Sequence, residues 1–271
     1  MIRRDSTLEN GTRAWLLISQ VEHARVSGEL TRAWREPFSH EVVEAIVHHD
    51  DGWAKWEATP QLDPARGRPL SFLEMAIDHA IEIWGDSIAR ARHIGPLAGA
   101  IVAGHFLGLA SGSEHAADPR AREWLHEMSI QRTAWLSEWR SDSPANTPAI
   151  ADSAQQMLLT ADLLSLWLCG DGPVTGVDPA SVPNAEMQSR ASTVLGKYQF
   201  APQNKAIRDS EIAWNGSLTP WPFAAAELNL VSPALAVAAA HYRSWPEVLA
   251  ASRQVRLLWR LRQALIPSGE C

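Results

Sequence analysis

An aspartate stands in the middle of QQMLLTADLLSLWLC, residues 155–169. The stretch reads as a helix from Ile150 to Cys169, ended by Gly170, with Leu158, Leu159, Leu166 and Cys169 around Asp162 at helical spacing. An ionised carboxylate in such surroundings is costly unless it is paired or binds a cation. Asp50 sets the same problem on the helical face of Val43, Ile46 and Val47. Neither aspartate has a Lys or Arg three or four residues away; Lys55 is the nearest cation to Asp50 along the chain. A chain that folds around both must bring them a partner, and one shared cation answers both needs.

The chain has 271 residues, 46% of them hydrophobic and 20% charged, enough for a real core. A net charge of -7, with no basic stripe, argues against nucleic acid or an anionic membrane as partner and leaves a small-molecule substrate. The opening MIRRDSTLENGTRAW has no apolar core of a signal peptide. The longest apolar run, Ile94 to Ala110, is broken by Gly95, Pro96, Gly99 and Gly104, so no membrane span is expected. Two cysteines, Cys169 and Cys271, make no disulfide framework and suit the cytoplasm. The 13 tryptophans are expected at helix interfaces.

The pattern along the chain is mostly helical. Trp15 to Ser19 is a candidate strand, and a helix follows from Gln20 with His23, Val26 and Leu30 on one face. Pro37 stops it, Ser39 caps the next, and that helix is expected to run through Asp50 to Gly52. Residues Glu57 to Leu70 read as a loop. Ser71 is expected to cap a long helix through Arg92, and Pro96 to open another through Leu109. Ala121 to Arg140 is an amphipathic helix. The character changes in the Gly-, Pro- and Asp-rich Gly170 to Pro183. Beyond it, short apolar segments predict a β-containing region over about 190–265, with Asn215-Gly216 as a hairpin turn and a helix over Pro246 to Ser252.

Five of these helices each place a possible metal ligand on an apolar face: His23, then His49 with Asp50, then His79, His105 and Asp162. Any one histidine there is most simply a core residue. The ordered set, each on its own helix, is what points to metal, and mixed His and carboxylate donors suit iron, manganese, zinc or cobalt. His48 projects about 100° away from His49 on a helix and reads as surface. No GxSxG, P-loop or GxGxxG is present.

The order His23, His49-Asp50, Asp162, with AIVHHDDGW at residues 45–53, resembles the HD superfamily of metal-dependent phosphohydrolases and its diiron oxygenases. The resemblance covers about residues 15–170. It implies a mainly α fold: an HD-like helical bundle over 1–170, with a linker and a small C-terminal β-containing appendage over 171–271 packed on the same core. It also implies one or two divalent transition metals, iron foremost, on His23, His49, Asp50, His79, His105 and Asp162, with Asp50 bridging if there are two. The superfamily often carries Lys three residues after the paired Asp; here Trp53 stands there, and Lys55 is its nearest substitute. WLLISQVEHA, HHDDGW, GHFLGL, ADLLS and TPWPF make the whole chain resemble still more closely an uncharacterised bacterial family, domain of unknown function 3891.

The expected function is hydrolysis of a small phosphoester by metal-activated water, with Asp50, Lys55 and His93 as the catalytic candidates and Arg25, Lys55 and Arg92 as anion contacts. The alternatives are an HD-type diiron oxygenase acting on a small polar substrate and a degenerate, non-enzymatic HD scaffold. The stiff segment Thr219 to Phe223, TPWPF, is expected to dock as a structural flap.

Overall fold

The computed structural model describes residues 1–112, 114–170, 199–208 and 210–263. Most of the expected Gly170 to Pro183 linker, and Cys271, lie outside them. The chain opens with two strands, β1 (Ile2–Thr7) and β2 (Arg13–Ile18). The helices α1 (Gln20–Ala33), α2 (His40–Val47) and α3 (Trp53–Ala58) follow, then a small hairpin of β3 (Leu62–Asp63) and β4 (Arg68–Pro69). Four longer helices come next: α4 (Ile77–Ile94), α5 (Pro96–Ser111), α6 (Pro119–Asp142) and α7 (Pro148–Cys169). The last described part is β5 (Gln199–Arg208), β6 (Glu211–Thr219), β7 (Glu227–Ala238), α8 (Trp245–Ala251) and β8 (Arg253–Gln263).

The expected helical bundle with a small C-terminal β appendage is overturned by the sheet. Six strands form one mixed sheet in the order β1-β2-β7-β8-β6-β5. Strands from both sides of residue 170 build it: β2 pairs antiparallel with β7, Ala14 opposite Ala238 and Leu17 opposite Leu235. β7 pairs antiparallel with β8, and β6 runs parallel to β8. The sheet is thus a second layer, packed against α1 and α7. Alternation along the strands explains its faces. Val255, Leu257, Trp259 and Leu261 of β8 are buried while Arg256 and Arg260 are exposed. In β2, Leu16 and Ile18 join the core against α1 and α7, whereas Leu17 packs with Val237, Tyr242 and Val248 on the other face.

Two cores meet at α1 and α7. Val26, Leu30, Leu164 and Leu168 pack against the sheet, with Trp214 and Trp259 stacked 5.8 Å apart. Ile46, Ile88, Ile101, Phe106 and Leu158 form the core among α2, α4, α5 and α7. Each large apolar side chain buried this way contributes roughly 1.5–3 kcal/mol.

Local signals set most of the helix starts. Ser19 caps α1 by accepting from the Glu22 N–H at 3.1 Å, and Ser39 and Ser244 cap α2 and α8. Proline opens α5, α6 and α7. Three expected boundaries are corrected. The helix expected from Ser39 to Gly52 ends at Val47, and residues 48–52 make a turn before α3. Ser71 caps only a 3-10 turn over Phe72–Glu74, closed by the reciprocal bond of Glu74, and α4 begins at Ile77. Asn215-Gly216 is no turn: both residues lie inside β6, opposite the register shift between Pro202 and Asn204 in β5.

The segment at 219–223 docks as expected. Trp221 and Phe223 are buried, and Phe223 meets Trp34 edge-on at 5.5 Å. The Ala224 N–H donates to Ala33 at the end of α1, and the Arg35 N–H to Pro222.

Cys169 is free, fully buried on the sheet-facing side of α7, and burial pushes its thiol up to about 12. In a Cys271→Ser background it should resist a maleimide or disulfide reagent at pH 8 and react at once when guanidinium unfolds the chain. Fast labelling of the native protein would show that α7 does not lie against the sheet as described.

Candidate metal centre

Five side chains from four places in the chain converge where the two cores meet. α1 supplies His23, the turn after α2 supplies His49 and Asp50, α5 supplies His105, and α7 supplies Asp162. All five are 5% exposed or less. His23 and His49 point Nε2 at the same oxygen, Asp162 Oδ1, at 3.0 and 3.3 Å. Asp50 Oδ2 lies 3.7 Å from both of those nitrogens. His105 stacks edge-on to His49 with ring centres 5.4 Å apart, as His23 does on the other side.

The turn that carries His49 and Asp50 is held from behind. The Gly52 N–H donates to Ser87 Oγ of α4 at 3.0 Å. A Cβ at Gly52 would lie 2.1 Å from the Ile83 carbonyl oxygen, so only glycine lets this turn sit against α4. Gly28 of α1 lets α2 approach as closely, since a Cβ there would lie 2.2 Å from Val47 Cγ2.

The far nitrogens of the two histidines are tied down. His49 Nδ1–H donates to the Ile46 carbonyl at 2.8 Å, and His23 Nδ1 lies 2.6 Å from Ser165 Oγ. Both rings therefore turn Nε2 inward, the arrangement that metal-binding histidines use. One ligand atom from each of His23, His49 and Asp162 falls within 4.8 Å of the others, so this trio could hold a metal ion.

The charges are coupled. Burial opposes a charge on His49, but Asp50 and Asp162 outweigh it and push its pKa up to about 9. Burial pushes the Asp50 carboxyl up. Burial also works against an ionised Asp162, yet His105 and the bonds from His23 and His49 hold it well below the usual carboxylate range. In the metal-free protein, a proton on His49 thus offsets carboxylate charge where a divalent ion would do the same.

The remaining sequence candidates stand outside the cluster. His79 is half-buried on α4 with its ring 4.4 Å from that of Trp56. Lys55 is exposed and pairs with Glu82 at 3.0 Å, and His93 is exposed in the last turn of α4. Arg25 pairs with Glu22 and Glu29, and Arg92 with Glu138. Trp53 is buried. His48 pairs with Asp51 at 2.9 Å at the surface of the turn. Asp63 pairs with Arg66 and Arg68 within the small hairpin.

Three residues near the cluster escaped the sequence reading. Ser27 and Ser165 flank His23, and their signal was spacing alone: Ser27 is four residues after His23 on α1 and Ser165 three after Asp162 on α7. Glu57 accepts from the Gln20 N–H at 2.9 Å and pairs with the Met1 amine at 2.6 Å, and its charge adds to the upward push on Asp50. No helix among the described residues is long and apolar enough to cross a membrane. A family model described as "Protein of unknown function (DUF3891)" matches residues 1–238. No curated protein and no solved structure matches the chain.

Proposed function

The chain belongs to the DUF3891 family, and from its buried site we propose a metal-dependent hydrolase of HD type acting on a small molecule. One observation carries the reading: His23 and His49, their Nδ1 atoms anchored, aim Nε2 at Asp162 in a buried site. A divalent ion bound there would lower the pKa of a coordinated water towards ~7 and polarise the bond to be cleaved. His23, His49 and Asp162 would hold the ion, and Asp50 would complete a set of two neutral imidazoles and two carboxylates that neutralises it. His105 borders His49 of the trio and is our candidate to hand a proton to a leaving group. With His79 away from the cluster, the donors support one ion.

The expected anion contacts Arg25, Lys55 and Arg92 are engaged with glutamates elsewhere. A phosphoester would therefore meet its charge partner in the metal. A cytoplasmic setting suits the free Cys169. Two imidazoles and one carboxylate are also the donor set of mononuclear iron oxygenases, so a single-iron oxygenase is the second reading.

Purified protein should carry about one transition metal per chain. Chelation should lower turnover of chromogenic phosphate or carboxylate esters at least ~100-fold, and one equivalent of metal should restore it. Hydrolysis indifferent to chelation would refute the hydrolase. Iron that reacts with dioxygen, without ester turnover, would favour the oxygenase.

Metal affinity should also depend on pH in a set direction. Below about 9, His49 carries a proton that the metal must displace, so affinity rises with pH and levels off near that value. Each displaced proton gives roughly a tenfold change per pH unit. Chelator competition between pH 6 and 9 measures it, and a flat profile would contradict the coupling.

A further inference from the structure

We propose that Ser165, backed by Ser27, is a positioning residue for the metal centre: its hydroxyl oxygen accepts the Nδ1 proton of His23 and keeps Nε2 free as a metal donor. The inference rests on the metal-binding reading given above. The two histidines face one requirement and meet it differently. His49 donates Nδ1–H to the Ile46 carbonyl, which can only accept, so its Nε2 carries the free lone pair whenever the ring is neutral. His23 has a hydroxyl in that place, 2.6 Å from Nδ1, and a hydroxyl can donate or accept.

The neighbours of Ser165 offer its proton another acceptor. Its Oγ lies 2.9 Å from the Asp162 carbonyl, which only accepts, and 2.7 Å from Ser27 Oγ. With the Ser165 proton given to that carbonyl, one lone pair is left to receive the His23 Nδ1–H and the other faces Ser27 Oγ, whose own hydroxyl also has the His23 carbonyl as acceptor at 3.2 Å. His23, Ser27 and Ser165 are all 0% exposed, so no bulk water competes. One serine thereby touches both ligands, the ring of His23 on α1 and the backbone of Asp162 on α7, and sets one against the other.

The experiment uses the full chain with Zn²⁺ and Co²⁺ as probes. In the Zn²⁺-loaded wild type, long-range ¹H–¹⁵N spectra should show His23 with its proton on Nδ1 and metal on Nε2. Ser165→Ala, checked for folding by circular dichroism, should bind Co²⁺ roughly 10–100-fold more weakly, with a changed visible spectrum. Ser165→Thr, which keeps the hydroxyl, should recover most of the affinity. A merely structural serine would alter stability and leave the tautomer and the cobalt spectrum alone. Zn²⁺-loaded His23 without a proton on Nδ1 would overturn the inference even if no variant folded. So would Ser165→Ala binding Co²⁺ like the wild type with the same spectrum. Wild-type protein that binds neither ion would overturn the metal reading itself, and this inference with it, before any variant is made.

Discussion

Asp162→Asn should leave the protein with less than about a tenth of its metal, because losing one ligand typically costs well over the ten- to hundredfold of an outlying partner. Asparagine keeps the shape and removes the charge, so the effect isolates the carboxylate. Both Nε2 atoms aim at one oxygen of Asp162, and Asp50 alone cannot replace it from 3.7 Å. The metal-free protein should suffer as well. Asp162 is the anion that balances a buried, readily protonated His49, and breaking such a pair costs about 3–5 kcal/mol. At ~2–4 °C per kcal/mol for a chain of this size, the chelated variant should melt about 10 °C lower. Elemental analysis and calorimetry check the two parts separately. Unchanged metal content would remove Asp162 from the ligand set, and an unchanged melting point after chelation would show that the pair is not stabilising.

Gly52→Ala should be the most damaging change of a single hydrogen for a methyl group. The added carbon would meet backbone, the Ile83 carbonyl at 2.1 Å and the Ser87 nitrogen at 2.8 Å, and α4 is packed from behind and cannot step aside. Forced overpacking of this kind costs about 3 kcal/mol or more. The turn must shift, and Asp50 and His49 shift with it. Metal affinity and melting temperature should fall together, whereas Gly85→Ala, where a Cβ meets nothing within 4 Å, should leave both intact. A Gly52→Ala protein with wild-type melting and metal content would mean that the turn is not held against α4.

Most of the longer helices were legible because they are announced locally, by Ser19, Ser39 or Pro96 at the start and by apolar residues at helical spacing, whereas α3 has no capping side chain to announce it. Where two signals competed, the reading slipped. Val42 to Val47 continue smoothly into His49 and Asp50 on a helical wheel, yet the ligands sit in a turn that only Gly52 permits. Ser71 and Glu74 form a true capping box, but it closes a single 3-10 turn. The sheet was undervalued because its strands do not look alike. β1 is IRRDST, with only Ile2 to mark its apolar side, and β6 hides a turn-like Asn215-Gly216 in mid-strand. Pairing between Ala14 and Ala238 leaves no trace at all in local pattern.

The buried cluster was legible because a buried charge declares itself in any apolar helix. His105, among small apolar residues, lies with His23, His49, Asp50 and Asp162, and His79, next to Asp78 and near Glu82, does not. The serines were missed because hydroxyls are common in helices and mean little until their neighbours are known.

The sheet joins the first strands of the chain to the last, and this sets the order in which the protein can assemble. During synthesis α1 to α7 emerge with their sheet-facing sides bare, since β6, β7 and β8 follow them. β2 waits, unpaired on one edge, for β7 to arrive. Long-range pairing of this kind puts folding in the millisecond-to-second range, well behind the formation of the helices. The waiting species exposes Leu16, Ile18, Leu164 and Leu168 beside an open strand edge, the combination most prone to aggregate. A chain that stops near residue 171 is that species made permanent. The final closure of β2 on β7, and not the gathering of the helices, is therefore the step at which a cell's chaperones have most to guard.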